Sequence, residues 1–278
     1  MRSLPALAVL LLIANAASAS TADAAFAELA DRYVSDLTAF SPVSATRIGD
    51  HSADQQLDQV DAAARARRVS LYREYHNELA AIDREALSRA NQVDAEILRN
   101  EIESSIWSLE TLQEWAWNPL VYINLSGSSI YGLVARDFAP LEERLAAAAS
   151  RMEQLPRFLA QARASIEPER VPKIHAETAV RQNAGLVSII ETMIVPAMDA
   201  LTPATRDRLA AAIETAKDAI AVHQTWLEEE LLPRAAGDFR IGAELFDAKL
   251  AFALNSPLSR KEVKTRAEAE YESVRNQM

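Results

Sequence analysis

Residues 91–117, NQVDAEILRNEIESSIWSLETLQEWAW, place Leu98, Ile102, Ile106, Leu109, Leu112 and Ala116 at steps of four, four, three, three and four. Side chains at that spacing share one face of an α-helix, and a six-residue apolar stripe among charged neighbours needs another element to cover it. Asn91 stands where a capping side chain would start the helix. Pro119 disfavours the helical conformation of the residue before it, so the helix is expected to fail near Trp117.

Outward from this stretch the same periodicity recurs. Towards the N-terminus a helix is expected from about Thr21 to Thr38. A short one opens at Ser41-Pro42 and stops at Gly49, and a long one runs from about Val60 to Ile82 with Leu71, Tyr75 and Leu79 on one face. Towards the C-terminus helices are expected over Pro140 to Met152, Pro156 to Ser165, Pro172 to Val195, Thr202-Pro203 to Leu232 and Ile241 to Leu254. A last one opens at the capping box Ser259-Arg260-Lys261-Glu262. Only LVYINLSGSS, Leu120 to Ser129, carries strand-like residues with a glycine, and it is expected to be a loop or a short extended segment. No fixed-period repeat is present. The final helix runs to Met278 without a glycine cap, so the sequence is expected to stop inside an element.

Composition agrees with an all-α fold. The 278 residues are 49% hydrophobic and 25% charged, with 6 glycines and 6% aromatics, too few turn glycines and β-branched runs for a sheet-rich protein. The net charge of −11 opposes a polyanionic partner, so nucleic acid is excluded as an expected partner.

Residues 1–19 have the layout of a secretory signal peptide: Arg2, an apolar run from Leu4 to Ala14, and the small-residue end Ala17-Ser18-Ala19. That run is shorter than the ~20 residues a membrane helix needs, so the expected mature chain, residues 20–278, is periplasmic or secreted and free of membrane after cleavage. It contains no cysteine, which removes disulfides, thiolate metal sites and cysteine-linked lipid as possibilities within it.

The residues capable of chemistry do not assemble into a motif. Zinc peptidases of the H-E-x-x-H kind set two histidines at i and i+4 on one helix face. The four histidines, His51, His76, His175 and His223, never fall within four residues of one another. Gly127-Ser128-Ser129-Ile130-Tyr131 resembles a serine nucleophile elbow but puts tyrosine where a small residue is required, so a turn or cap is the stronger reading of Ser128 and Ser129. Trp107, Trp115, Trp117 and Trp226 are expected in helix packing, Glu228, Glu229 and Glu230 at a solvated helix end, and Arg65, Arg67 and Arg68 on a solvated face. No residue is assigned a catalytic, cofactor-binding or metal-binding role.

Read in order, four segments resemble a bacterial family of unknown function, DUF 885. They are FSPVSATRIGDHSADQQLDQVD (residues 40–61), with its Gly-x-His; WNPLVYINLSGSSIYGLVARDFAPLEERLAAAASRMEQLPRFLAQAR (117–163), with an R-x-F-x-P-x-x-x-R pattern; HAETAVRQNAGLVSII (175–190); and GDFRIGAELFDAKL (237–250). The resemblance implies a multi-helix array similar to the N-terminal part of a helical gluzincin-like zinc peptidase. Family members are usually about twice this length, and many carry an H-E-x-x-G-H-like metal motif in the half beyond the region matched here. Zinc and a peptide substrate are therefore implied for full-length members, while no metal ligand transfers to this sequence, including onto His51. The expectation is an exported N-terminal portion of such a peptidase. It would lack the metal-binding half, be inactive alone, contribute one wall of a substrate channel, and self-associate through an exposed apolar face. The alternative is a complete periplasmic helical binding or scaffold protein with a groove between helices.

Overall fold

A computed structural model describes residues 21–278; the expected signal peptide lies outside the described residues. Among the described residues the fold is all-α, with one isolated bridge, Pro172 to Gly237, and no strand. No helix among them is long and apolar enough to cross a membrane.

The first three long helices, α1 (Thr21–Phe40), α3 (Ala62–Ala81) and α4 (Arg89–Trp107), bury Phe26, Leu29, Tyr33, Tyr72, Tyr75 and Ile102 against one another. Tyr33 and Tyr75 meet edge to face at 5.3 Å, and the Tyr75 hydroxyl donates to Asp36 at 2.6 Å. The short α2 (Pro42–Ile48) leads through a polar loop into α3, with Gly49 closing α2 in the left-handed conformation at φ 94°. Asp61 caps α3, accepting from the Ala64 amide at 2.7 Å. Helix α4 is capped by Ser88 rather than Asn91, whose side chain instead donates to Asp23 of α1 at 2.7 Å.

The apolar stripe that anchored the sequence reading continues past α4. A wide π-type turn, Ser108–Leu112, leads through Gln113 at φ 52° into the single turn α5 (Glu114–Trp117). Two tryptophans hold this irregular passage. Trp115 Nε1 donates to the Leu109 carbonyl and Trp117 Nε1 to the Leu112 carbonyl, each at 2.9 Å, satisfying groups that the distorted helix leaves open.

The second and larger core is built on α7 (Leu141–Ser165), which packs along α10 (Pro203–Trp226) and beneath α6 (Leu120–Val134). Met152, Leu155, Phe158 and Leu159 of α7 are almost completely buried. Pro156 does not split α7 as expected. Its ring faces solvent, and the burial of apolar residues on either side outweighs the ~3 kcal/mol an internal proline costs.

Residues 120–129 are not a loop either. They form the first two-thirds of α6, in which Tyr122, Ser126, Ser129, Ile130 and Leu133 are buried at helical spacing against α7. Ser126 Oγ donates to the Tyr122 carbonyl at 2.8 Å and Ser129 Oγ to the Ser126 carbonyl at 2.6 Å, so these small hydroxyls are satisfied inside the helix and allow a close approach.

Helices α8 (Lys173–Asn183) and α9 (Gly185–Ile189) follow, where one helix to Val195 was expected; the remainder is a π-type turn, Ile190–Ile194, and a 3₁₀ segment, Val195–Ala200. After α10 the chain passes through a third π-type turn, Leu227–Leu231, and the short α11 (Leu232–Arg234). It then crosses Val171, where the Gly237 amide donates to the Val171 carbonyl at 2.9 Å. A Cβ at Gly237 would stand 2.0 Å from the Arg170 carbonyl oxygen. Gly237→Ala is expected to lift this crossing, costing about 1–3 kcal/mol. Limited proteolysis between α11 and α12 checks it: cleavage should accelerate, and unchanged cleavage would show that the crossing tolerates the methyl group.

The last two helices, α12 (Ala243–Leu254) and α13 (Arg260–Gln277), bury no residue fully. Contact with α4 comes through Phe252, whose ring lies 5.6 Å from Trp107 and whose carbonyl accepts from Asn100 at 3.0 Å. Phe246, Leu254, Tyr271 and Val274 are exposed there. The expected capping box is present: Ser259 Oγ accepts from the Glu262 amide, and Glu262 returns a bond to Ser259 N at 2.8 Å.

Candidate binding face on helix α6

Helix α6 buries one side against α7 and leaves Val121, Asn124, Ser128, Tyr131 and Ala135 exposed in a row at steps of three and four. A groove runs along each flank of this ridge. On one side, about 520 Å³ of open space lies between α6 and α2, with Val43, Val121 and Leu125 among its walls and Arg47 and Arg136 at its edge. On the other, about 360 Å³ lies between α6 and the α8–α9 bend, with Asn124, Ser128, Gln182 and Asn183 among its walls and no charged residue. Both volumes fall in the range of small-molecule and peptide pockets.

The wall made by α2 is fixed by a buried arginine. Arg151 of α7 is wholly inaccessible and donates from Nε to the Gln56 carbonyl (2.9 Å), from Nη1 to the Ser129 carbonyl (2.8 Å), and from Nη2 to the Pro42 carbonyl (3.2 Å) and Thr46 Oγ1 (2.6 Å). Thr46 Oγ1 donates in turn to Asp54 Oδ1 at 2.6 Å, and Asp54 Oδ2 lies 2.9 Å from His51 Nδ1. Burial pulls the Arg151 guanidinium down to about 10, with Asp54 and Asp58 opposing, so it stays charged at neutral pH. Asp58, pushed up by its own burial, accepts from the Val43 amide at 3.0 Å.

His51 also stacks flat on Phe138, with ring centres 3.6 Å apart and planes 8° apart. Phe138 lies in the turn between α6 and α7, which Arg144 locks by donating to the Ala139 carbonyl at 2.9 Å and to Asp137 at 2.6 Å. The Gly-x-His loop and the Arg-x-Phe-x-Pro turn, noted separately in the sequence, thus meet and support one another. His51 is a packing residue here.

The remaining candidates are dispersed. His76 pairs with Glu103 at 3.1 Å; His175 stacks on Trp117 at 5.9 Å; His223 stacks on Trp226 at 5.6 Å. The Nδ1 atoms of His175 and His223 are buried without a hydrogen-bond partner among the described residues. Burial pushes His175 down, with Glu114 opposing, and pushes His223 to about 4, with Arg163 adding to the effect. Ser129 is buried inside α6, while Ser128 opens onto both grooves, neither of which is lined by a histidine. Glu228, Glu229 and Glu230 are exposed. The reading of Arg65 and Arg68 as solvated is corrected: Arg65 lies 3.9 Å over the Trp115 ring and donates to Val60 and Ser165, and Arg68 donates to Phe40 and Ser41.

Among the described residues no three histidine or carboxylate side chains converge closely enough to hold a metal ion. The zinc implied by the resemblance therefore finds no fitting donor set in them, and no hydrolytic step is derived through it.

A family model described as a bacterial protein of unknown function, DUF885, matches residues 42–278. The chain belongs to the DUF885 family. Among solved structures it matches a "putative lipoprotein of unknown function" from Shewanella oneidensis at 27% identity and a TM-score of 0.81, over 90% of this chain and 46% of that one. The DUF885 chain thus spans just under half the length of that relative. No curated protein matches it.

Proposed function

We propose that this chain is the peptide-binding half of an exported, periplasmic gluzincin-like DUF885 peptidase, supplying one wall of the substrate channel but not the hydrolytic metal. The observation that carries the reading is the exposed ridge of α6 with a groove on each side, the larger of them with its α2 wall tied to α7 by the buried Arg151. Family membership, the half-length match to the Shewanella oneidensis protein and the scattered histidines support it. The second reading, a helical binding protein in its own right, is favoured by the same grooves, since both are formed within this chain.

Purified chain in zinc-containing buffer is expected to bind short peptides saturably without hydrolysing them. Elemental analysis should find no stoichiometric zinc. Tight equimolar zinc accompanied by peptide turnover would overturn the assignment of this chain to the metal-free half. Absence of any peptide binding would overturn the assignment of α6.

A further inference from the structure

We propose that the groove between α2 and α6 is a carboxylate subsite, which takes the C-terminal end of a peptide whose last side chain is apolar. This rests on the reading of α6 as a peptide-binding face and adds the class of ligand and its direction.

The charge distribution points to it. Arg47 and Arg136 stand at the edge of the same groove, both exposed, and neither has a carboxylate within ion-pair distance among the described residues. Among the described residues no acidic side chain lines that groove, so the only charges on its walls are these two positive ones. Their neighbours in the fold are accounted for differently: Phe138 stacks on His51, and Arg144 is buried and hydrogen-bonded to its turn. Arg136 makes one long bond, from Nη1 to the Arg47 carbonyl at 3.4 Å, which places its guanidinium at the end of α2 and leaves the rest of its planar donor fork open. A guanidinium presents paired donors that match the two oxygens of a carboxylate.

The groove floor supplies the other half of the recognition. Val43, Val121 and Leu125 make an apolar surface beside the arginines, with space of about 520 Å³. A bare inorganic anion would leave that surface uncovered, whereas an anion carried on an apolar residue fills it. Across the ridge, the second groove offers amides and hydroxyls but no charge, chemistry suited to the neutral backbone of the preceding residues. A peptide crossing α6 therefore runs with its carboxyl end towards α2.

Titration calorimetry on the whole chain tests this with N-acetyl-glycyl-phenylalanine as the free acid, the same compound as its C-terminal amide, and inorganic phosphate. The acid is expected to bind at least about tenfold more tightly than the amide or phosphate, and increasingly weakly with added salt. Arg47→Gln combined with Arg136→Gln is expected to reduce the acid to the level of the amide, with an unchanged helical circular dichroism spectrum, since both residues lie at the surface. Equal binding of acid and amide, phosphate binding as tight as the acid, or an unaffected double variant would each overturn the subsite. If acid and amide bind equally and Tyr131→Asp abolishes both, the peptide-binding face stands and only the carboxylate subsite falls. If nothing binds at millimolar concentration, both fall.

Discussion

Arg151→Met is expected to destabilise the chain by about 3–5 kcal/mol, a larger effect than any surface substitution on α6. Methionine can follow the path of the arginine stem, so the loss is electrostatic rather than volumetric. It takes the side-chain donor from the Gln56 carbonyl, removes one bond each from the Pro42 and Ser129 carbonyls and from Thr46, and removes the positive charge that faces Asp54 from 3.8 Å. Arg151→Lys is expected to recover only part of the loss, because one ammonium cannot reach three carbonyls and a hydroxyl spread over α2, the following loop and α6. Urea titration measures this directly, and the melting temperature should fall by roughly 6–20 °C. A loss below about 1 kcal/mol would show that α2 is held by its apolar contacts alone. Because Arg151 fixes the α2 wall of the larger groove, ligand binding should weaken with stability.

Acid is expected to cost this protein about 3 kcal/mol through His223 before its exposed carboxylates matter, and the lowered His175 acts in the same sense. In the folded chain burial holds His223 to about 4, against an ordinary value of 6.5, and Nδ1 has no partner among the described residues to offset a charge. The unfolded chain therefore binds a proton that the folded chain refuses. The stability is fully present above about pH 6.5, falls by about 1.4 kcal/mol per pH unit as the pH drops, and levels off near pH 4. Asp58 acts in the opposite sense, since its raised value favours the folded state in acid. His223→Phe retains a ring against Trp226 and should flatten the profile between pH 6.5 and 4.5, whatever its stability at neutral pH. An unchanged slope in the variant would place the acid sensitivity elsewhere.

Much of the architecture is legible in residue spacing because apolar periodicity reports the face a helix must bury. Ile102, Leu112 and Ala116 of the opening stretch are all buried. Local rules fail where packing overrides them. Pro156 lies in the interior of α7 because four buried neighbours outweigh its missing amide, and the β-branched, glycine-containing run before Ser129 is helical because its buried face has a helical period. That period was present in Tyr122, Ser126, Ser129 and Ile130, but two of these are serines and do not register as core residues in a hydrophobic pattern. The proposed binding face was illegible for a different reason. Arg47 and Arg136 are 89 positions apart, and only the packing of α2 beside α6 brings them to one groove. No spacing rule within a helix connects them.

Amide hydrogen exchange of the whole chain, with and without a short apolar peptide acid, tests most directly whether α6 is a binding face. The expected result is added protection in residues 42–48 and 120–134, with α12 and α13 unchanged. Protection confined to α12 and α13, or none on α2 and α6 at saturating peptide, would contradict the account.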